Sequence, residues 1–256
     1  MYTHGHHDSV LRSHRWRTAA NSAGYLLSHL APGQSLLDVG CGPGTITVDL
    51  AGLVAPGRVV GLDASAEVLA EARSNAPGVD FVVGDVMALE YDDASFDVVH
   101  AHQVLQHVAD PVGALRELRR VSRGVVAARD ADYAAMTWYP HVPALDDWQA
   151  LYQRVARSNG GEPDAGRRLL AWTRAAGFAE VTPGASVWCY ATPEDRAWWG
   201  DLWADRMVDS ALARQAVARG FASEADLRAI AAGWREWAGS PDGWFLVPHG
   251  EVLAWG

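Results

Sequence analysis

A short glycine-rich segment limits the possible folds of this chain more than any other feature. It spans residues 36–45 and has the sequence LLDVGCGPGT. The apolar run before the glycines predicts a buried parallel strand, and Gly40, Gly42 and Gly44 allow a sharp turn that brings bare backbone against a ligand. A helix is predicted to begin near Thr45. The segment therefore predicts a pocket for a nucleotide-sized ligand.

Three more apolar strands are predicted downstream, and polar residues follow each of them. The strand Val59–Leu62 ends in Asp63. Doubly wound folds place a carboxylate roughly 20 residues beyond the last glycine, where it accepts hydrogen bonds from ribose hydroxyls. The strand Phe81–Val83 is followed by Asp85, and a histidine-containing segment follows Phe96–Val99. Ligands of open α/β sheets bind at such carboxyl ends.

These motifs resemble those of the class I S-adenosylmethionine-dependent methyltransferases, most nearly the small-molecule branch with the ubiquinone and menaquinone C-methyltransferases. The resemblance covers roughly residues 30–130. It rests on LLDVGCGPGT, VVGLDAS, FVVGDVMAL and FDVVHAHQVLQHVADP, in this order. The glycine pattern is G-x-G-x-G rather than the dinucleotide G-x-G-x-x-G, and no phosphate-binding lysine follows it. The resemblance implies a methyltransferase with S-adenosylmethionine as its cofactor.

The resemblance also implies roles for residues at the strand ends. Asp38 and Gly40 would line the methionine end of the cofactor, and Asp63 would hold the ribose. Asp85 and the Val86 amide would contact the adenine edge. The full predicted cofactor-binding set is Arg17, Asp38, Gly40, Gly42, Gly44, Thr45, Asp63, Ala64, Asp85, Val86, His102 and Gln103.

Composition excludes several classes of protein. The 256 residues suffice for a buried core, and two cysteines, Cys41 and Cys189, argue against a disulfide framework. The formal net charge of -10 disfavours a nucleic-acid partner. No long uncharged apolar span predicts a membrane crossing. We therefore expect a cytoplasmic protein with a small-molecule partner, whose oligomeric state the sequence leaves open.

The predicted fold is α/β: a doubly wound, mostly parallel seven-stranded sheet with helices on both faces. An amino-terminal lid helix precedes it, and a helical cap is inserted before the last strand. Residues 1–30 are predicted to form the lid segment, 31–133 the Rossmann-like cofactor-binding core, and 134–256 the cap helices and final strands. One helix is predicted over 10–30, and cap helices over 193–219 and 223–238.

The amino-terminal segment is predicted to contribute to the site. In related methyltransferases such a segment folds over the cofactor, which makes Tyr2, His6, Trp16 and Arg17 candidate lid residues. Arg17 would pair with the cofactor carboxylate. The run His4–His7 could bind a metal or belong to a tag, but a solvated segment or a lid segment is favoured over both, and no metal site is predicted.

Methyl transfer from a sulfonium needs alignment and a dry pocket, and it needs a base only when the acceptor carries a proton. His102 is the first candidate base, and Asp130 and Asp132 at the end of the fifth strand are the others. Most of the 12 tryptophans are predicted to pack, although their number suggests a flat or apolar acceptor. The predicted substrate-pocket residues are Tyr2, His6, Tyr133, Trp138, Tyr139 and Trp199.

Three functions remain open at this point. The first is methyl transfer to a small, aromatic or apolar molecule. The second is metal-assisted O-methyl transfer, with Asp130, Asp132 and a histidine holding a divalent cation against the acceptor. The third is a cofactor-binding protein that transfers no methyl group, since fold alone does not define function.

Overall fold

The computed structural model describes residues 8–76 and 78–256. Its strands are Leu36–Val39 (β1), Val59–Asp63 (β2), Asp80–Val83 (β3), Phe96–His102 (β4), Ser122–Ala131 (β5), Thr137–Tyr139 (β6), Glu180–Tyr190 (β7) and Trp244–Trp255 (β8). Its helices are Asp8–Arg15 (α1), Ala19–Ser22 (α2), Thr45–Val54 (α3), Ala66–Asn75 (α4), Pro111–Val121 (α5), Pro143–Ser158 (α6), Leu169–Ala175 (α7), Pro193–Asp209 (α8), Ala211–Ala218 (α9) and Glu224–Gly239 (α10). None of these helices is long and apolar enough to cross a bilayer.

The strands form one sheet in the order β3-β2-β1-β4-β5-β8-β6, and β7 pairs with β8. Strands β1 to β5 are parallel, whereas β8 runs antiparallel to β5 and β6. The predicted doubly wound, mostly parallel sheet is confirmed. The described residues contain eight strands rather than seven, because β6 was not predicted. A three-residue strand is too short to show an alternating pattern in the sequence.

The chain divides into two compact units. One, called here the core unit, comprises His14–Ala131, Ala165–Ser186 and His249–Gly256. The other, called here the aromatic unit, comprises Asp132–Asp164, Val187–Pro248 and the described part of residues 1–13.

In the core unit both faces of the parallel strands are buried, as is usual for parallel sheets. Leu37, Val99 and Val126 point to the face that packs against α5 and α7. Their neighbours Leu36, Val98 and Val125 point to the other face, where Ala23, Leu26 and Leu50 cover them. All four residues of β1 are buried. This core fixes the carboxyl ends of β1, β2 and β4, where most of the predicted cofactor residues lie.

Capping residues divide two helices that were predicted to be continuous. The predicted helix over 10–30 is interrupted between α1 and α2, because the Thr18 hydroxyl accepts a hydrogen bond from the Asn21 amide and the Asn21 side chain accepts one from the Thr18 amide. The predicted helix over 193–219 ends at Asp209. Ser210 then caps α9 by accepting from the Ala213 amide.

Candidate functional site

The glycine-rich loop connects β1 to α3 and has the conformation that its glycines predicted. Gly40, Gly42 and Gly44 have φ angles of 68°, 55° and 80°, a region that side chains disfavour. A Cβ atom at Gly40 would lie 2.3 Å from Val104 Cγ2, and one at Gly44 would lie 2.9 Å from the Phe81 ring. The loop therefore requires glycine at these positions.

Asp63 ends β2 beside this loop, and backbone amides hold its carboxylate. Oδ2 accepts a hydrogen bond from the Gly42 amide at 3.0 Å, and Oδ1 accepts one from the Ser65 amide at 2.9 Å. Each carboxylate oxygen has a further lone pair. The half-buried side chain is therefore oriented and still able to accept hydrogen bonds from a ligand's hydroxyls.

The remaining predicted residues of this edge have varied surroundings. Asp85 is exposed, and its Oδ1 accepts from the Met87 amide at 2.9 Å. The Val86 side chain is buried in the core. Ala64 is exposed, and the Thr45 hydroxyl donates to the His14 carbonyl at 3.1 Å. Of these four residues, only Asp85 therefore has an exposed polar side chain.

Asp38 lies beneath the loop rather than on its surface. It is buried, and its Oδ1 lies 2.7 Å from His100 Nδ1. The Thr47 hydroxyl donates to its Oδ2 at 2.5 Å. Asp38 and His100 are register partners on β1 and β4. Thr47 was not among the predicted site residues, although its place in the first turn of α3 beside the loop was a usable signal.

His102, the first candidate base, is buried at the end of β4. Burial places the pKa of its imidazole well below its usual range, and the positive charges of Arg17 and Arg129 lower this pKa further. The His249 ring stacks on it with centroids 6.2 Å apart. His102 is therefore a neutral imidazole and a weak proton acceptor.

Asp130, the second candidate base, is fully buried on the opposite face of β5. His102 and Arg129 are register partners in parallel strands and point to one face, so Asp130 points to the other. Asp130 Oδ1 accepts from the Gln106 amide at 3.1 Å, whereas Oδ2 has no hydrogen-bond partner in the described chain. Burial raises the pKa of Asp130 to about 7. The structure therefore does not bring these two candidates together.

Asp132, the third candidate, belongs to the aromatic unit. Its side chain accepts from the Ala135 amide at 3.2 Å and so caps a 3-10 turn at Tyr133–Ala135. In residues 8–76 and 78–256, no group of three or more His, Cys, Asp or Glu side chains is arranged to hold a metal ion.

Arg17 and Gln103, both predicted to bind the cofactor, contact each other. Arg17 Nη2 donates to Gln103 Oε1 at 2.6 Å. The other end of the Gln103 amide contacts His249 Nε2 at 3.0 Å. His249 was not predicted from the sequence; the available signal was a polar residue within a largely apolar last strand.

A buried ion pair lies on the same sheet face as His102. Arg129 Nε contacts Glu251 Oε1 at 3.1 Å and Ser186 Oγ at 3.0 Å, and Ser186 donates to Glu251 at 2.5 Å. Burial lowers the pKa of Arg129 to about 10. Glu251 and Ser186 were also not predicted, because they come from β8 and β7, far along the chain.

The predicted substrate-pocket residues that the structure describes belong to the aromatic unit, where three of them stack on other rings. Tyr133 stacks on Tyr152 at 3.8 Å, and Trp199 stacks on Tyr190 at 4.3 Å. Tyr139 is 61% exposed. Trp138, the fourth residue, stacks on Phe245 at 5.7 Å. Tyr2 and His6 lie outside the described residues.

Indole rings form the centre of the aromatic unit. Trp148 is fully buried, and the rings of Trp203 and Trp234 meet it edge-on at 4.7 and 4.8 Å. Trp234 and Trp237 also contact Phe245. Edge-to-face contacts of this kind stabilise aromatic clusters beyond the area that they bury.

Comparison with known sequences identifies a family. The family model described as a methyltransferase domain matches residues 30–182. An uncharacterized methyltransferase of Schizosaccharomyces pombe is 33% identical over 270 residues, which cover 98% of this chain and 95% of that protein. A demethylmenaquinone methyltransferase of Roseiflexus castenholzii is 33% identical over 162 residues, covering 59% of this chain and 63% of that protein.

Solved structures show the same fold. The YcgJ protein of Bacillus subtilis matches with a TM-score of 0.58 at 19% identity, covering 90% of this chain and 96% of that one. Phosphoethanolamine N-methyltransferase 2 of Haemonchus contortus, solved with S-adenosylhomocysteine, matches with a TM-score of 0.54 at 18% identity, covering 88% of this chain and 49% of that one. The chain belongs to the methyltransferase-domain family and is an S-adenosylmethionine-dependent methyltransferase.

Proposed function

We propose that the chain transfers a methyl group from S-adenosylmethionine to a small, apolar or aromatic molecule, and that the core unit binds the cofactor at the carboxyl ends of β1, β2 and β4. One observation carries this proposal. Asp63 is held between the Gly42 and Ser65 amides beside a loop whose three glycines have positive φ. A bare loop and an oriented carboxylate suit an adenosyl group with two ribose hydroxyls.

The residues of this edge fit the cofactor as follows. Asp63 accepts hydrogen bonds from the ribose, and the loop backbone from Gly40 to Gly44 lies against the amino-acid part. Asp85 and the Val86 amide contact the adenine edge. The Arg17 guanidinium, a donor group that is permanently charged, holds the carboxylate.

We assign Asp38 a different role from the one that the family resemblance implied. Both of its oxygens are engaged by buried partners, His100 and Thr47. We assign it to holding the first turn of α3 against β1, so that it supports the loop instead of lining it.

S-adenosylmethionine supplies an electrophilic methyl group on a positively charged sulfur. The protein aligns the acceptor with this group and excludes water from it. A base must reach the proton that it removes, and Asp130, whose pKa burial raises to about 7, is fully buried, so we assign no proton-removing role to it. His102, kept neutral by burial, is assigned to hydrogen bonding and not to proton removal.

The composition of the aromatic unit supports an apolar or aromatic acceptor. Tyr133, Trp138 and Trp199 are each stacked on a neighbouring ring that fixes their orientation; Tyr133 and Trp199 are buried, and Trp138 is half-buried. Rigid aromatic surfaces bind flat apolar molecules at a low cost in conformational entropy.

The assignment of Asp63 predicts the behaviour of a matched pair of variants. Asp63→Ala should raise the Kd for S-adenosylmethionine and S-adenosylhomocysteine by about 10- to 100-fold, because hydrogen bonds to a charged acceptor are lost. Asp80→Ala, which removes a carboxylate whose side chain is 68% exposed, should leave both Kd values unchanged. Titration calorimetry measures both. Equal affinities for the two variants would contradict the ribose assignment.

The acceptor class is tested by transfer of a labelled methyl group to a panel of small molecules. Phenols, hydroquinones and apolar acids should be methylated in preference to small polar amines. A preference for polar amines would contradict the proposed acceptor class.

A further inference from the structure

Gln103 is held in an unusual backbone conformation directly after β4. Its φ is 55°, and it and Ala94 are the two non-glycine residues with positive φ in the described chain. The backbone amide of Gln103 donates a hydrogen bond to the Arg129 backbone carbonyl at 2.7 Å, which helps to hold this conformation. A left-handed conformation is unfavourable for a residue with a side chain, because its Cβ atom crowds the following carbonyl oxygen. Strain of this kind clusters at functional sites.

The contacts of Gln103 fix which way round its side-chain amide lies. The Arg17 guanidinium has donors and no acceptor, so the group 2.6 Å from Arg17 Nη2 is the oxygen Oε1. The amide nitrogen Nε2 therefore faces His249 Nε2 at 3.0 Å. His249 Nε2 must accept this hydrogen bond, which makes the ring neutral with its proton on Nδ1.

The three residues come from separate parts of the core unit. Arg17 lies between α1 and α2, Gln103 follows β4, and His249 lies on β8, where it is buried opposite Ala131 of β5. The family match covers residues 30–182, so it assigns neither Arg17 nor His249. Their connection is visible only in the folded chain.

We propose that His249 is a positioning residue for cofactor binding. By accepting from Gln103, it keeps the Gln103 oxygen turned toward Arg17, and this oxygen aims the guanidinium at the cofactor's carboxylate. Without an acceptor at position 249 the amide can rotate and present its own N–H groups to Arg17, which displaces the cation. The inference rests on the proposed role of Arg17 as the carboxylate partner.

Two substitutions of His249 test this positioning role. His249→Leu removes the acceptor, whereas His249→Gln places an amide oxygen near the position of Nε2. We expect His249→Leu to raise the Kd for S-adenosylhomocysteine about tenfold and His249→Gln to change it less than about threefold. For decarboxylated S-adenosylmethionine, which lacks the carboxylate, both variants should bind like wild type. Calorimetry with both ligands gives the comparison.

A third variant keeps the test decisive where His249→Leu does not fold. Gln103→Glu still offers an oxygen to Arg17. Its negative charge, however, offsets the positive charge of the guanidinium, and the carboxylate donates no hydrogen bond to His249. We expect it to weaken binding of S-adenosylhomocysteine about tenfold and to leave the decarboxylated ligand unaffected.

The outcomes distinguish a failure of the positioning role from a failure of the proposed function. If wild type binds both ligands, an equal loss of affinity for the two ligands in His249→Leu, or no loss for either, would overturn the positioning role. Failure of wild type to bind S-adenosylhomocysteine would overturn the proposed cofactor site and, with it, the positioning role of His249.

Discussion

At the scale of single residues, burial decides what the titratable groups of the core unit can do. Arg129 and Asp130 are neighbours in the sequence, yet they point to opposite sheet faces. Burial lowers the pKa of Arg129 to about 10 and raises that of Asp130 to about 7. His102 faces the side of Arg129, and its pKa lies well below the usual range. The same residue types on a surface would titrate normally.

The raised pKa of Asp130 predicts a pH dependence of stability. Between its ordinary pKa and about 7 the folded state binds more protons than the unfolded state, so the free energy of unfolding falls as pH rises through this range. Asp130→Asn does not titrate. Between pH 5 and pH 8, we therefore expect the free energy of unfolding to fall by about 2–4 kcal/mol less in Asp130→Asn than in wild type. Urea unfolding at the two pH values measures this difference.

The control for this prediction is Asp80→Asn, which alters an exposed carboxylate. It should keep the pH dependence of wild type. A wild-type slope retained in Asp130→Asn would show that the carboxyl group titrates normally in the folded protein.

At the scale of elements, backbone geometry and caps explain both the successes and the failures of prediction. The β1 strand and its glycine loop were predicted because consecutive residues carry the signal. The breaks at Thr18 and Ser210 were missed, since apolar periodicity continues across both caps. The short β6 strand was missed because it forms by pairing with β8 and has no pattern of its own.

The glycine loop gives the element-scale prediction. Gly40→Ala should weaken cofactor binding at least about tenfold, because a positive φ is strained for alanine and its Cβ would meet Val104 at 2.3 Å. Combining it with Val104→Ala removes the contact and should recover part of the affinity. Calorimetry with S-adenosylhomocysteine measures each step.

Gly52→Ala is the matched control for this loop. Gly52 is exposed within α3, and a Cβ there meets nothing within 4 Å. This variant should stabilise the protein by roughly 0.5–1 kcal/mol and leave the affinity unchanged. Similar affinities for Gly40→Ala and Gly52→Ala would contradict the requirement for a bare loop.

At the scale of the whole molecule, the two compact units have different cores. Aliphatic residues on both sheet faces stabilise the core unit. The aromatic unit instead packs indole and phenol rings around Trp148. The predicted three-part division of the chain at residues 30 and 133 stays a prediction.

Trp148→Ala should reduce the free energy of unfolding by about 3–5 kcal/mol, because it leaves a cavity where a fully buried indole packed. Trp244→Ala, at a position that is 38% exposed, should cost less than about 1 kcal/mol. Urea unfolding followed by circular dichroism compares them. A small effect of Trp148→Ala would mean that neighbouring rings fill the space.

The sequence alone was enough to predict the β1 strand, the glycine loop and the place of Asp63 after β2, and the resemblance of its motifs to a known family implied the methyltransferase fold. The loop and Asp63 depend on residues close together in the chain, whose spacing follows from strand and helix periods. The residues Thr47, Glu251 and His249 were not found in this way. Each acts through a partner on another element, and no local pattern encodes that distance.

The protonation and orientation of the buried polar groups depend on the folded chain. Folding turned His102 and Asp130 to opposite faces, removed water from both, and joined Arg17, Gln103 and His249 into one hydrogen-bonded chain. Desolvation and hydrogen bonding depend on everything packed around a group. For that reason a sequence can name a candidate base, while only the folded chain decides whether it can take a proton.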